Sequence, residues 1–173
     1  LFLVNTRAFD EELAIRKILV PLDGSDLSAA VLPQAHAFAK LHGAEIVLLH
    51  VIEPAPALYP VASLTTTEEE ALALLARWKD KLAGVSVRLL VAKGSPAFAI
   101  LDAAKETGAD LLAMTTHGRS GPSRWFFGST AEHVLQHCRI PLLVVRTSGI
   151  ERGESLAKEA PSKVDTTLTH PVT

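Results

Sequence analysis

The sequence is poor in cysteine, in aromatic residues and in net charge. It has 173 residues with one cysteine, and aromatic residues make up 5% of them. A single cysteine excludes a disulfide within the chain, which fits a reducing, cytoplasmic compartment. Lys and Arg number 17 and Asp and Glu 19, so the net charge is −2. This balance provides no electrostatic footprint for a nucleic-acid partner.

Long apolar runs are also missing. No stretch reaches the roughly 18 apolar residues that a membrane-spanning helix requires, so no membrane association is expected. The first four residues, Leu-Phe-Leu-Val, are too short for a secretion signal and lack a basic region before them. Hydrophobic residues nevertheless make up 48% of the chain and charged residues 21%. Such a composition is typical of one globular domain with a large core.

Five short apolar runs predict the strands of a buried sheet. They lie at 18–22, 46–51, 87–91, 111–114 and 142–145. Most are nearly continuous instead of alternating, as expected of parallel strands that are covered on both faces.

Helix signals separate these runs. One helix is expected to begin near Ser25 and to kink at Pro33, and another to begin at Thr67, which precedes three glutamates. Ser95 followed by proline predicts the start of a third helix, and Ser129 is expected to cap the last one.

The alternation of strand and helix over 17–146 predicts an α/β fold. We expect a doubly wound, five-stranded parallel sheet with helices on both faces. Residues 1–16 are expected to form an N-terminal extension, in which Phe2, Phe9 and Leu13 suggest a short helix. Residues 147–173 are expected to form a flexible C-terminal tail.

In such a sheet, ligands bind outside the carboxyl ends of the strands. The segment after the fourth run is the most informative, because it is rich in glycine and ends in Gly128, Ser129 and Thr130 at the start of a helix. Free N–H groups at a helix start suit a phosphate. An ordinary glycine-rich surface loop before a capped helix is the alternative.

Together, these motifs resemble the universal stress protein family from about Arg16 to Arg146. The matching segments are Lys-Ile-Leu-Val-Pro-Leu-Asp-Gly-Ser at 17–25, Leu-Leu-His-Val at 48–51, Gly-Ala-Asp-Leu-Leu-Ala-Met at 108–114, Thr-His-Gly-Arg-Ser-Gly at 116–121, Gly-Ser-Thr-Ala-Glu at 128–132 and Pro-Leu-Leu-Val-Val-Arg at 141–146. ATP-binding members of that family resemble G-x2-G-x9-G-[S/T]. Gly118, Gly128 and Ser129 match its second half, whereas Thr115 stands at the first glycine.

The resemblance implies an adenine-nucleotide alpha hydrolase-like fold over 17–146, with ATP as ligand and Mg or Mn held through its phosphates. It assigns Pro21, Leu22 and Asp23 to the wall around adenine and ribose, and the backbone of Val51 to the adenine. Met114 and Thr115 would lie beside the ribose. The phosphates would be held by Gly118, Gly128, Ser129 and Thr130.

Three functions stay open at this point. The resemblance favours an ATP-binding regulatory protein of the stress response that acts as a nucleotide-dependent switch or binding module. A slow ATP hydrolase or nucleotidyl-type enzyme of the same fold is an alternative, although neither a Gly-x-Ser-x-Gly elbow nor a P-loop is present and no general base is evident. A nucleotide-free dimeric stress protein is the third.

A homodimer is expected through the last strand. The apolar run 142–145 would otherwise form an exposed sheet edge, and the resemblance points the same way. His133 and His137 share a helix face at a spacing that zinc sites use, but no third ligand is evident, so a solvated or interface face is the preferred interpretation. His50 is interpreted as a hydrogen-bonded core residue and Cys138 as a packing residue.

Overall fold

The computed structural model describes residues 2–4, 14–54, 66–116 and 128–146. Its strands are β1 (Phe2–Val4), β2 (Lys17–Pro21), β3 (Glu45–Ile52), β4 (Val87–Lys93), β5 (Leu111–Thr115) and β6 (Leu142–Val145). Its helices are α1 (Asp26–Ala29), α2 (Leu32–His42), α3 (Glu68–Lys79), α4 (Pro96–Thr107) and α5 (Ser129–His137). None of these helices is long and apolar enough to cross a lipid bilayer.

The strands form one sheet in the order β1-β6-β5-β2-β3-β4. The five strands from β2 to β6 are parallel, as the sequence predicts, and β1 is antiparallel to β6. From β2 the chain proceeds outward through β3 and β4, then crosses to β5 on the other side of β2. The order therefore reverses between β2 and β5, and a crevice opens there at the carboxyl ends of the strands.

Strand β1 corrects two expectations. Residues 2–4 form a strand, so the short helix expected in 1–16 is wrong for this part of the extension. Strand β6 is not a free edge, because β1 pairs with it from Phe2 opposite Val144 to Val4 opposite Leu142. The physical reason is the same in both cases: an apolar strand leaves backbone N–H and C=O groups unpaired, and a second strand satisfies them. The rest of the extension before residue 14 and the tail at 147–173 lie outside the described residues.

Alternate side chains of each central strand enter two different cores. Ile18 and Val20 on β2 face the core under α1, α2 and α3, whereas Leu19 between them faces the core under α4 and α5. All three are fully buried. The central strands therefore have no polar face, which explains their continuous apolar runs.

The helix expected from Ser25 onward is divided in two. It ends at Ala29 as α1, and α2 begins at Leu32 with Pro33 in its first turn. Proline lacks an N–H and is tolerated where a helix begins, because the first N–H groups have no intrahelical acceptor. Proline therefore begins a new helix here, and the expected kink within one helix is wrong.

The helices begin in two different ways. Thr67 caps α3 in a capping box with Glu70, and Ser25 caps α1 with its side chain. At α4 the N-cap is Ser95, and at α5 it is Gly128, and neither start has a side-chain cap hydrogen bond. Ser129 is thus the first residue of α5 and not its cap, which corrects the sequence prediction by one position.

Candidate functional site

A pocket of about 590 Å³ lies at the reversal point of the sheet, within the size range of small-molecule sites. Its walls come from the carboxyl ends of β2, β3 and β5 and from the starts of α4 and α5. The lining residues are Pro21, Leu22, Asp23, Ser28, Leu49, His50, Val51, Glu53, Ser95, Pro96, Ala97, Phe98, Ile100, Met114, Thr115, Thr116, Gly128, Ser129, Thr130, Ala131 and His133.

The pocket brings together nearly all of the residues that the sequence assigns to a ligand. Those on its wall are Pro21, Leu22, Asp23, Val51, Met114, Thr115, Gly128, Ser129 and Thr130. Gly118, assigned to the phosphates, lies outside the described residues.

The start of α5 presents hydrogen-bond donors to this pocket. The N–H of Gly128 donates to the carbonyl of Thr116 at 3.0 Å, and the first intrahelical bond runs from the N–H of Glu132 to the carbonyl of Gly128 at 2.9 Å. Residues 129–131 lie between these two donors, and their N–H groups have no acceptor within the helix. Together with the positive end of the helix dipole, these groups can bind an anion.

Gly128 is not required by its backbone conformation. Its φ is −61°, which any residue can adopt. A Cβ atom built there would lie 3.6 Å from the carbonyl oxygen of Thr116, an ordinary contact. The fold therefore tolerates a side chain at 128, and what glycine provides is open space at the pocket wall.

Asp23 is held in a fixed orientation on the opposite side of the pocket. Its Oδ1 accepts from the N–H of Ser25 at 2.9 Å and from the Ser25 hydroxyl at 2.6 Å. Ser25 in turn accepts from the N–H of Ser28 and so caps α1. The turn after β2 therefore fixes a half-buried carboxylate at the pocket, suited to a hydroxyl or amine donor.

Val51 presents its backbone to the pocket because the ladder between β2 and β3 ends before it. The last bond of that ladder runs from the N–H of Leu22 to the carbonyl of Leu49 at 2.8 Å. Because strand geometry repeats every two residues, the N–H and C=O of Val51 point to the same side as those of Leu49. Strand β2 has already ended at Pro21, which pairs with Leu49.

His50 lines the pocket and binds the carbonyl at which the ladder ends. A further step of the ladder would use the carbonyl of Leu22, but that carbonyl accepts from Nδ1 of His50 at 2.8 Å. A carbonyl only accepts, so Nδ1 carries the proton. His50 is 4% exposed, as its interpretation as a core residue predicts.

Thr115 and Met114 form the end of β5 beneath the ligand space. Both are buried, and Thr115 is 6% exposed. Thr115 pairs with Val145 on β6, and the N–H of Thr116 donates to the carbonyl of Val145 at 3.1 Å. Extended geometry suits a β-branched residue, so threonine fits the backbone where the family motif has glycine.

Sequence reasoning missed the wall that α4 contributes. Ser95, Pro96, Ala97, Phe98 and Ile100 line the pocket, as does His133 on α5. A signal was available for the α4 residues, since Ser95 follows the third apolar run just as Asp23 follows the first. The rule on carboxyl ends applies to that strand equally.

Cys138 takes no part in the pocket. It is 8% exposed at the end of α5, and burial raises the pKa of its thiol. A raised thiol pKa leaves less thiolate at neutral pH, so the side chain behaves as a packing group, as the sequence indicates.

The order of the strands and the pocket at their reversal point define a doubly wound α/β protein, and its likeness to solved structures shows the adenine-nucleotide alpha hydrolase-like fold. The model of the universal stress protein family matches residues 14–146. The chain belongs to the universal stress protein family.

Individual relatives agree with this assignment. The chain is 31% identical over 154 residues to the universal stress protein MJ0531 of Methanocaldococcus jannaschii, covering 84% of this chain and 90% of that protein. It is 35% identical over 147 residues to the universal stress protein YxiE of Bacillus subtilis, covering 75% of this chain and 98% of that protein.

Solved structures show the same fold. The structure of MJ0577 of Methanocaldococcus jannaschii matches with a TM-score of 0.66 at 28% identity, covering 79% of this chain and 99% of that one. A universal stress protein in complex with cAMP matches with a TM-score of 0.60 at 24% identity, covering 78% of this chain and 99% of that one.

The hydrogen bond from His50 to the carbonyl of Leu22 is expected to stabilise the fold. Replacement of His50 by Leu removes the donor from a buried carbonyl, so we expect the free energy of unfolding to fall by about 1–3 kcal/mol. His36 is a matched control, because its Nε2 lies 2.9 Å from the carbonyl of Ala83 in a solvent-exposed hydrogen bond. Urea denaturation should show a change of at most about 0.5 kcal/mol for His36→Leu. If the two variants lost equal free energy of unfolding, the buried hydrogen bond would not be the cause of the loss.

Proposed function

We propose that this chain is an ATP-binding regulatory protein of the stress response, in which nucleotide occupancy changes its shape or its partners. The observation that carries the proposal is the start of α5. It has no side-chain cap, and it opens into a pocket whose other side presents a fixed carboxylate at Asp23 and the backbone of Val51.

The proposed binding mode assigns the two sides of the pocket to the two ends of a nucleotide. The backbone of Val51, which faces the pocket past the end of β2, meets the edge of the adenine. Asp23 accepts from the ribose or the base, and Pro21 and Leu22 supply apolar contacts. Met114 and Thr115 lie beneath the ribose.

The phosphates belong at the start of α5 in this binding mode. The N–H groups of residues 129–131 and the hydroxyl groups of Ser129 and Thr130 are the donors. Mg or Mn would be held mainly through phosphate oxygens. That the fold accommodates an adenine nucleotide is supported by the related structure in complex with cAMP.

The proposal is one of binding and not of rapid turnover. The half-buried carboxylate of Asp23 is already engaged by Ser25, and the start of α5 supplies donors instead of a base. Glu53 and His133 also line the pocket, but no contact orients either of them as a base toward the start of α5 among the described residues. Hydrolysis, where it occurs, is expected to be slow. We propose a cytoplasmic location, in keeping with the composition.

Calorimetry on protein freed of nucleotide tests the binding site. We expect wild type to bind ATP and Gly128→Val to lose that binding, because the valine side chain occupies space at the pocket wall. The variant should stay folded, since a Cβ at 128 makes only an ordinary contact with Thr116. Loss of the glycine N-cap costs about 1 kcal/mol, which urea denaturation measures separately. Unchanged ATP affinity in a folded Gly128→Val would reject the site.

Thr115 tests whether the departure from the family motif blocks the nucleotide. We expect ATP to bind wild type and Thr115→Gly to change the affinity by less than about tenfold, because one steric contact and one neutral hydrogen bond nearly balance. Thr115→Val keeps the bulk without the hydroxyl and separates the two effects. If Thr115→Gly binds ATP tightly and wild type shows no binding, the result favours the nucleotide-free alternative.

We also propose a homodimer through β6, which requires β1 to leave that strand. The described part of β1 contributes three residues to the pairing, and the four-residue β6 of a second copy could take its place. Light scattering at micromolar concentration should detect a dimer. Leu3→Pro removes a backbone donor from β1 and should increase the dimer fraction. A monomer in both proteins would contradict the proposal.

A further inference from the structure

The described residues that line the pocket carry more negative than positive side chains, although the proposed ligand is an anion. Asp23 and Glu53 contribute two carboxylates, whereas neither Lys nor Arg occurs among the pocket residues in the described ranges. The side chains there that can gain a positive charge are the imidazoles of His50 and His133. His50 is buried, and its Nδ1 is used by the carbonyl of Leu22. His133 is half-buried at the rim, four residues after Ser129 on the same helix.

Aromatic neighbours hold the ring of His133 in place. The Phe98 ring lies 4.8 Å from it between centroids, at an angle of 59°. The His137 ring stacks on it at 4.2 Å between centroids and 21° between planes. His137 is itself fixed, because its Nδ1 lies 2.9 Å from the carbonyl of His133. A ring held by its aromatic neighbours keeps a defined orientation at the pocket rim, as a contact to a ligand requires.

The charged groups near His133 lie on α5, on α4 and just after the ends of β2 and β3. On α5 they are Glu132 and His137. On α4 the charged group is Asp102, which lies one turn after Phe98. Across the pocket they are Asp23 and Glu53. No ion pair joins any of them to His133 within the described ranges. A charge on His133 is therefore available to a ligand.

We propose that His133 is a cationic contact of the phosphate chain, and that it makes nucleotide binding dependent on pH. This inference rests on the proposed function, because it assigns a role within the same site. In its protonated form the imidazole donates an N–H to an outer phosphate oxygen, and the proton comes from solvent when binding occurs at neutral pH. Histidine changes its charge between about pH 5 and 8, so binding responds to cellular acidification.

The test is a calorimetric titration at pH 6 and pH 8 with ATP and with adenosine, at constant magnesium. ATP itself takes up a proton in this range, as phosphate monoesters do, so the decisive quantity is the difference between variants. We expect His133→Gln to bind ATP about tenfold more weakly than wild type at pH 6 and within about twofold of it at pH 8. Adenosine, which has no phosphate, should bind both proteins equally and so reports that the variant is folded.

His137→Phe is the matched control, because it keeps a ring against His133 but removes a histidine that lies outside the pocket lining. It should retain the pH dependence of wild type. Repeating the titrations at pH 7 in buffers of different ionisation enthalpy should show proton uptake by wild type that exceeds uptake by His133→Gln.

The outcomes separate the two proposals. If wild type binds ATP and His133→Gln matches it at pH 6, or loses equal affinity at both pH values, the role of His133 is wrong while the proposed function stands. If wild type binds neither ATP nor adenosine at either pH, the proposed function fails and this inference with it. A loss of adenosine binding in His133→Gln would also overturn the inference, since the residue would then act on the nucleoside.

Discussion

The burial of β2 on both faces is the constraint on which the rest of the structure depends. Ile18, Leu19 and Val20 are fully buried, and they point alternately into two cores. A strand without a polar face requires helices on both sides of the sheet. Helices on both sides require crossovers in two directions from β2, so the strand order reverses beside it. The pocket lies at that reversal, which means that burial of apolar side chains positions the polar site.

Within the site, the most important feature is that the hydrogen-bonded ladder between β2 and β3 ends at the pocket. Strand β2 stops at Pro21, and the imidazole of His50 takes the carbonyl of Leu22 that would have continued the pairing with β3. The backbone of Val51 thereby faces the pocket. On the other side, the N-cap of α5 is a glycine, whose missing side chain leaves the helix start without a side-chain cap. Both features offer main-chain atoms to a ligand, so the binding surface depends on where secondary structure ends more than on particular side chains.

Much of this could be predicted from the sequence, for physical reasons that also explain the misses. Continuous apolar runs predict five parallel strands correctly, because strands buried on both faces require such runs. Residues after the strands, such as Asp23 and Val51, could be named because parallel strands end at one edge of the sheet. The same rule on strand ends covers Ser95 and Phe98, but no sequence motif marks these two residues as part of a site. The spacing of His133 from His137 predicts a solvated or interface face of the helix and says nothing about the pocket beside it. Strand β1 was not foreseen, because three apolar residues have no periodicity that separates strand from helix.

The pairing of β1 with β6 has a consequence for the order in which the molecule forms. Phe2 lies opposite Val144, so almost the entire family domain separates the two strands in the chain. During synthesis β1 emerges first, and its partner strand is the last element of the sheet to appear. Strands β2, β3 and β4 pair with neighbours in sequence, as do β5 and β6, whereas β2 pairs with β5 across half of the chain. The pair of β1 and β6 closes a still longer loop that spans the whole domain, and such distant contacts form slowly. Strand β1 therefore joins a sheet that is otherwise complete, and until then the apolar edge of β6 is open to any other chain nearby.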